Sequence, residues 1–169
     1  IIFNNIFNNN KIEEIKTTES PDPSTKSNII QNVNYSSKDA KGNEYIIDAI
    51  EGEIDYADTN IIYLKNVKAL IKLNSSENII ITSDFGKYNI ENYDTIFTEN
   101  LEIRYIDNHI IGEYLDFSIK RNSMIVSRNI VYTNFKNVLK ADVIEIDIET
   151  KDTKIYMYEN DKKVNIKSK

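Results

Sequence analysis

Two stretches of this chain repeat one another at a fixed offset of 34 positions. Ala49 answers to Ser83, Gly52 to Gly86, Tyr56 to Ile90 and Asn66 to Asn100. Within each stretch apolar and polar residues alternate, the period of a strand with one buried face. Tyr45, Ile47 and Ala49 share a face, then Ile54 and Tyr56, then Val67, Ala69, Ile71 and Leu73. In the second copy Ile79, Ile81, Ser83 and Phe85 share a face, then Tyr88 and Ile90, Ile96 and Thr98, and Leu101, Ile103 and Tyr105. The phase slips at Glu51-Gly52, Asn66, Gly86 and Asn100. A slip puts two neighbours on the same side, as a bulge or strand corner does.

Two weaker copies follow. Ile111, Leu115, Phe117 and Ile119 precede the turn Lys120-Arg121-Asn122, and Ile125, Ser127, Asn129, Ile130 and Tyr132 lie 29 positions after Ile96 to Ile103. Leu139, Ala141 and Val143, then Ile144, Ile146 and Ile148, lie 58 positions after the block that begins at Ile81. About four units of roughly 30 residues, with no helical period between Ile29 and Met157, predict a repetitive all-β structure. Corners recurring at one position predict two facing sheets, an elongated, stacked, antiparallel jelly-roll-like sandwich. Its end strands are left unpaired and need a partner or protection.

Composition narrows the function classes. The formal net charge is -6, and no basic patch is visible of the kind that counterion release from nucleic acid requires. The one locally basic stretch, Lys162 to Lys169, reads as a frayed terminus. The absence of Cys excludes disulfides, thiolate catalysis and Cys-based zinc sites. Before Ile29 the sequence divides into an apolar start, Ile1 to Phe7, a short polar stretch in which Ile12 and Ile15 allow a marginal helical turn, and a linker, Thr17 to Ser27, holding both prolines. The apolar start reads either as a short terminus or as the outer end of a membrane helix. The expected division is residues 1–28 as anchor remnant and linker and 29–169 as the β domain with a short basic tail.

Catalytic chemistry finds little support. His109 is the only histidine and falls in Ile106-Asp107-Asn108-His109, which reads as a turn; a base there needs an orienting carboxylate and a nucleophile. Glu145, Asp147 and Glu149 interleave with Ile144, Ile146 and Ile148, as a solvated outer face does. Plentiful carboxylates leave a β-helix carbohydrate enzyme as a rival reading, which needs them clustered on one outward face, whereas a calcium loop, a phosphate-binding Gly loop and zinc-protease spacing find no match. Asn34-Tyr35-Ser36 and Asn74-Ser75-Ser76 fit the glycosylation sequon, as chance allows in an Asn-rich chain. Neither a cofactor nor a metal is expected. The inner face mixes large apolar residues with small Ala49, Ser83 and Ala141: an ordinary sandwich core, or an open groove for an apolar ligand.

The run from Val33 to Ala49, Val-Asn-Tyr-Ser-Ser-Lys-Asp-Ala-Lys-Gly-Asn-Glu-Tyr-Ile-Ile-Asp-Ala, resembles the start of the periplasmic domain of the LptC family of lipopolysaccharide export proteins. Ser83 to Tyr88 and Lys140-Ala141-Asp142 are similar to the unit repeated in the wider LptA/LptC/OstA-like group. The resemblance implies an open, twisted β-jelly roll that faces the periplasm, held to the inner membrane by a single N-terminal helix, with no catalytic role. It implies that lipopolysaccharide is received from an ABC transporter and passed to an LptA-like bridge, with acyl chains between the sheets and end strands pairing with both partners. It assigns no head-group residues. Parity alone supplies the groove: Ile47, Ala49, Ile54, Tyr56, Ile81, Ser83, Phe85, Tyr88, Leu101, Ile103, Leu115, Phe117, Leu139, Ala141, Val143 and Ile146. The alternatives are a soluble LptA-like bridge and a structural β-repeat or adhesin module with a dry core and no lipid.

Overall fold

The computed structural model describes residues 28–39, 41–74, 77–159 and 161–168. The anticipated anchor, helical turn and proline linker lie outside the described residues. Ten strands carry the fold: β1 (Ile29–Lys38), β2 (Glu44–Ile54), β3 (Ile61–Lys72), β4 (Ile79–Asn89), β5 (Thr95–Tyr105), β6 (Asn108–Ser118), β7 (Ser123–Thr133), β8 (Asn137–Asp147), β9 (Thr153–Tyr156) and β10 (Asn165–Ser168). From β1 to β8 each strand pairs antiparallel with the next. The far edge of β8 is shared: β9 pairs with Val143–Ile146, and β10 with Asn137–Lys140. There is no helix among the described residues, and the sheet does not close into a barrel. The basic tail expected to fray instead supplies β10, because Asn165 to Ser168 extends along backbone groups of β8 that would otherwise face water.

The repeats prove to be alternate strands of one continuous sheet rather than rungs of two separate sheets. A line of corners crosses all eight long strands at Asn32, Ile50, Asn66, Asp84, Glu99-Asn100, Glu113, Arg128-Asn129 and Asp142. On the odd strands the corner contains an Asn in the left-handed region, with φ of 56° at Asn32, 52° at Asn66, 48° at Asn100 and 53° at Asn129. Asn tolerates that conformation because its short polar side chain can bond locally. Asn100 Nδ2 donates to Asp84 Oδ2 at 2.5 Å, and Asn129 Nδ2 donates to Glu113 Oε1 at 2.5 Å, so corner residues on neighbouring strands hold one another. The period shortens from 34 to 29 because the turns shorten. Six and five residues separate the strands between Asn66 and Asn100, but two and four between Asn100 and Asn129.

The corner decides which residues face inward. On β3 Ile62 and Leu64 are buried before it and Val67, Ala69 and Ile71 after it, a phase flip across one left-handed residue. β5 and β7 carry an extra residue, a bulge with two left-handed positions each, so their phase does not flip. The buried residues are therefore Thr95 and Phe97 on β5 and Met124 and Val126 on β7, not the expected Ile96, Thr98, Ile125 and Ser127. On β6 the corner falls at Glu113, which buries Ile110 and leaves Ile111 46% exposed.

Bent along this line, the sheet folds over onto itself. Tyr35 of β1 meets Tyr88 of β4 with ring centroids 4.9 Å apart, and Tyr45 of β2 meets Phe117 of β6 at 6.1 Å, each pair joining residues from opposite sides of the corner line. Beside that line Gly52 is required by close approach: a Cβ there would lie 2.8 Å from Val33 Cγ2. Lys41, in the first turn, forms an ion pair with Glu149 beyond β8, so the first hairpin lies over the turns of the opposite layer. One contiguous apolar core fills the space between, from Val33 and Tyr45 to Ile130 and Ile144. Full burial of side chains such as Phe97, Leu101 and Leu115 stabilises this core by about 1.5–3 kcal/mol each over exposure.

Candidate functional site

Most residues assigned to the inner face by parity are there. Ala49, Ile81, Ser83, Tyr88, Leu101, Ile103, Leu115 and Phe117 are buried. Ile47, Ile54 and Ile146 are partly buried and packed against the core. Leu139, Ala141 and Val143 are buried near the far end but stand outside the contiguous core. Two assignments are corrected. Phe85 is 42% exposed, because the slip falls at Asp84-Phe85 and turns Gly86 inward, where Leu64 and Val67 crowd it. Tyr56 is 61% exposed, because β2 ends at Ile54 and alternation no longer governs it.

Where the first hairpin overlies the opposite layer, the core opens into a cleft. Tyr35, Tyr45, Ile47, Ala69, Ile71 and Ile81 line one side; Tyr88, Tyr93, Thr95, Phe97, Phe117 and Ile119 line the other. Counting its mouth the cleft is about 380 Å³, but the side chains leave only water-sized space inside it. An apolar chain enters only if these side chains part. Tyr35, Tyr45, Tyr93, Thr95 and Phe97 were absent from the parity groove. Tyr35 was signalled by its alternation with Val33. Thr95 and Phe97 were hidden by the double corner at Glu99-Asn100.

The tyrosines give the cleft its polarity. Burial, aided by the Asp39 carboxylate, pushes the Tyr45 phenol up to about 12. Burial also raises Tyr35 and Tyr88 above the usual tyrosine value. The Tyr45 hydroxyl donates to Asp39 Oδ2 at 3.1 Å. Asp39 Oδ1 accepts from the backbone N–H groups of Lys41 and Asn43, each at 2.9 Å, and Asn43 Nδ2 donates to Oδ2 at 2.8 Å. Burial acts to raise the Asp39 carboxyl, but these hydrogen bonds prevail and hold it below its usual value. Gly42, at φ 81°, completes that turn.

The surface histidine lies elsewhere. His109 is in β6 rather than a turn, opposite Arg104. Its Nε2 lies 2.6 Å from Glu102 Oε1, the same oxygen that accepts from Arg104 Nη2 at 2.5 Å. That carboxylate is its partner, and the group forms a cross-strand charge cluster. Among the described residues no three His, Asp or Glu side chains converge as a metal site needs, and no helix is long and apolar enough to cross a membrane.

No curated protein matches the chain. The sequence model of the family described as lipopolysaccharide-assembly, LptC-related, matches residues 1–116. That span takes in β1 to β5 and β6 as far as Asp116, including six of the eight corners and most of the cleft. The open, folded antiparallel sheet agrees with the jelly roll that the family resemblance implied, and the chain belongs to the LptC-related family of lipopolysaccharide-assembly proteins.

Proposed function

We propose that this chain carries lipopolysaccharide with its acyl chains between the two layers of the folded sheet and its sugars in water. It has no catalytic role. The observation that carries the reading is the apolar interior itself: one core running the length of a sheet that never closes, with a cleft at the first hairpin. Family membership supplies the ligand class. An acyl chain of about a dozen carbons gains about 0.8 kcal/mol per buried CH₂ before ordering costs, so affinity needs no dedicated polar pocket. Side chains that part on entry lose their own contacts, which trims that gain and keeps the ligand releasable.

The two ends of the sheet suit hand-over. β1 has a neighbour on one side only, and β9 and β10 leave the opposite edge unpaired among the described residues. A partner strand added at either edge extends the interior without a break. In this reading an inner-membrane ABC transporter's periplasmic domain pairs at one edge and an LptA-like bridge at the other, and residues 1–28, as anchor remnant and linker, tether the β domain to the inner membrane.

The chain contains no Trp, which makes a direct test available. Phe117→Trp places a reporter in the cleft wall and Phe85→Trp places one on the outer surface. Lipopolysaccharide with brominated acyl chains is expected to quench the first and spare the second. Equal quenching, or quenching of Phe85→Trp alone, contradicts the reading.

A further inference from the structure

The C-terminal tail occupies the far edge of β8 without joining the interior. Every residue of β9 and β10 is exposed, whereas each of β1 to β8 buries at least one side chain. Two short pieces share that edge. Thr153–Tyr156 pairs with Val143–Ile146 and Asn165–Ser168 with Asn137–Lys140, and the chain between them passes over the corner at Asp142 unpaired. There Asp142 Oδ2 accepts from the backbone N–H of Tyr158 at 2.9 Å. Elsewhere in the sheet that place belongs to the corner Asn of the next strand. β5 follows β4 with Asn100 donating to Asp84, and β7 follows β6 with Asn129 donating to Glu113; only β2, whose corner is Ile50, lacks the acid. β8 thus ends the series on an acid with no Asn strand beyond it. β1 begins the series on Asn32, at φ 56°, and among the described residues no strand precedes it to supply an acid.

We propose that β9 and β10 are a displaceable guard over the β8 edge, and that the strand they hold off is β1 of a second copy of this chain, with Asn32 set against Asp142. This goes beyond the lipid-carrying reading and does not depend on it. The model for the register is β2 with β3, where Ala49 faces Val67 and Gly52 faces Leu64 across a single left-handed Asn. Applied to the new contact, it places Ala141 beside Val33 of the second copy and Ile144 beside Ile30. All four are buried or packed against the core within one copy, so the interior continues across the join. Asp142 then accepts from an Asn side chain in place of the Tyr158 N–H. The two edges are different surfaces, so the contact is head to tail and leaves one β1 and one β8 edge free at its ends. Two short strands with no buried side chain open at little cost. A guard open about 1–10% of the time weakens self-association about ten- to hundredfold relative to a bare edge.

The test deletes residues 153–169, with urea unfolding midpoints to verify that β1 to β8 persist. In sedimentation without lipid, the deleted chain is expected to self-associate about ten- to hundredfold more tightly than the intact chain. Register is read with cysteines, which the chain otherwise lacks. Asn32 and Asp142 of one copy lie seven strand spacings apart along the sheet, about 33 Å and far beyond disulfide reach. Asn32→Cys/Asp142→Cys therefore oxidises only between copies. In the deleted chain that pair is expected to give a ladder of covalent oligomers, and Asn32→Cys/Asn137→Cys none. Equal self-association with and without the tail, or a deleted chain that stays a single copy, overturns the guard. A ladder from the second pair as strong as from the first overturns the register. If the deletion unfolds the chain, Ile155→Pro/Ile166→Pro in the intact chain carries the same expectation; unfolding there too makes β9 and β10 part of the stable fold and overturns the guard.

Discussion

Asn66 shows how much a single residue decides in this fold. It holds φ at 52° in the middle of β3, and the buried face changes phase across it. A β-branched residue there meets the full steric penalty of the left-handed region, about 1–2 kcal/mol. Asn66→Val is therefore expected to lower unfolding free energy by that amount in urea titrations, while Asn66→Gly stays within a few tenths of wild type. The charged residues set the pH limits. Asp39 has a folded-state value below its unfolded one, so its contribution is present above the ordinary carboxyl range and is lost as pH falls through the folded value. For Tyr35, Tyr45 and Tyr88 the sign reverses. Their folded values are raised, so stability is intact below the ordinary tyrosine value of 10.0 and declines above it. Tyrosinate absorbance should show these three ionising together with alkaline unfolding, and the triple Tyr→Phe variant should move that unfolding to higher pH.

At the scale of the strand, the corner count governs everything inward of it. Deleting Glu99 removes one residue of the β5 bulge and flips the phase of half the strand, turning either Thr95 and Phe97 or Leu101 and Ile103 outward. That deletion is expected to abolish cooperative unfolding, whereas deletion within the exposed turn residues 150–152 leaves it intact. The same feature explains what was legible in the sequence. Strand periodicity, the slip at Asn66, the position of a corner at Asn100 and the 34-residue offset are visible because alternation is a local property. The difference between a one-residue corner, which flips parity, and a two-residue bulge, which preserves it, is set by register with the neighbouring strands. Ile96 and Phe97 are both large and apolar, so composition could not choose between them. Phe85 and Gly86 misled for a related reason: an inward glycine has no side chain to announce it. β10 was missed because four residues of a basic tail carry too little pattern to outweigh their charge.

For the whole molecule the consequence is an apolar interior bounded by a bend rather than by barrel closure. Such a sheet exposes strand edges at both ends and can lengthen its interior by accepting another strand. Leu101→Ala, at a fully buried site near the fold line, is expected to cost about 2–5 kcal/mol in unfolding free energy and to loosen both layers together. The central claim is that acyl chains travel between the layers. It is tested most directly by photo-crosslinking to lipopolysaccharide from Phe117 and Tyr88, inside the cleft, and from Phe85 and Lys87, outside it, during export in membranes. Crosslinks from the inner pair and none from the outer pair are the predicted result; crosslinks from the outer pair alone, or equally from both, would contradict it.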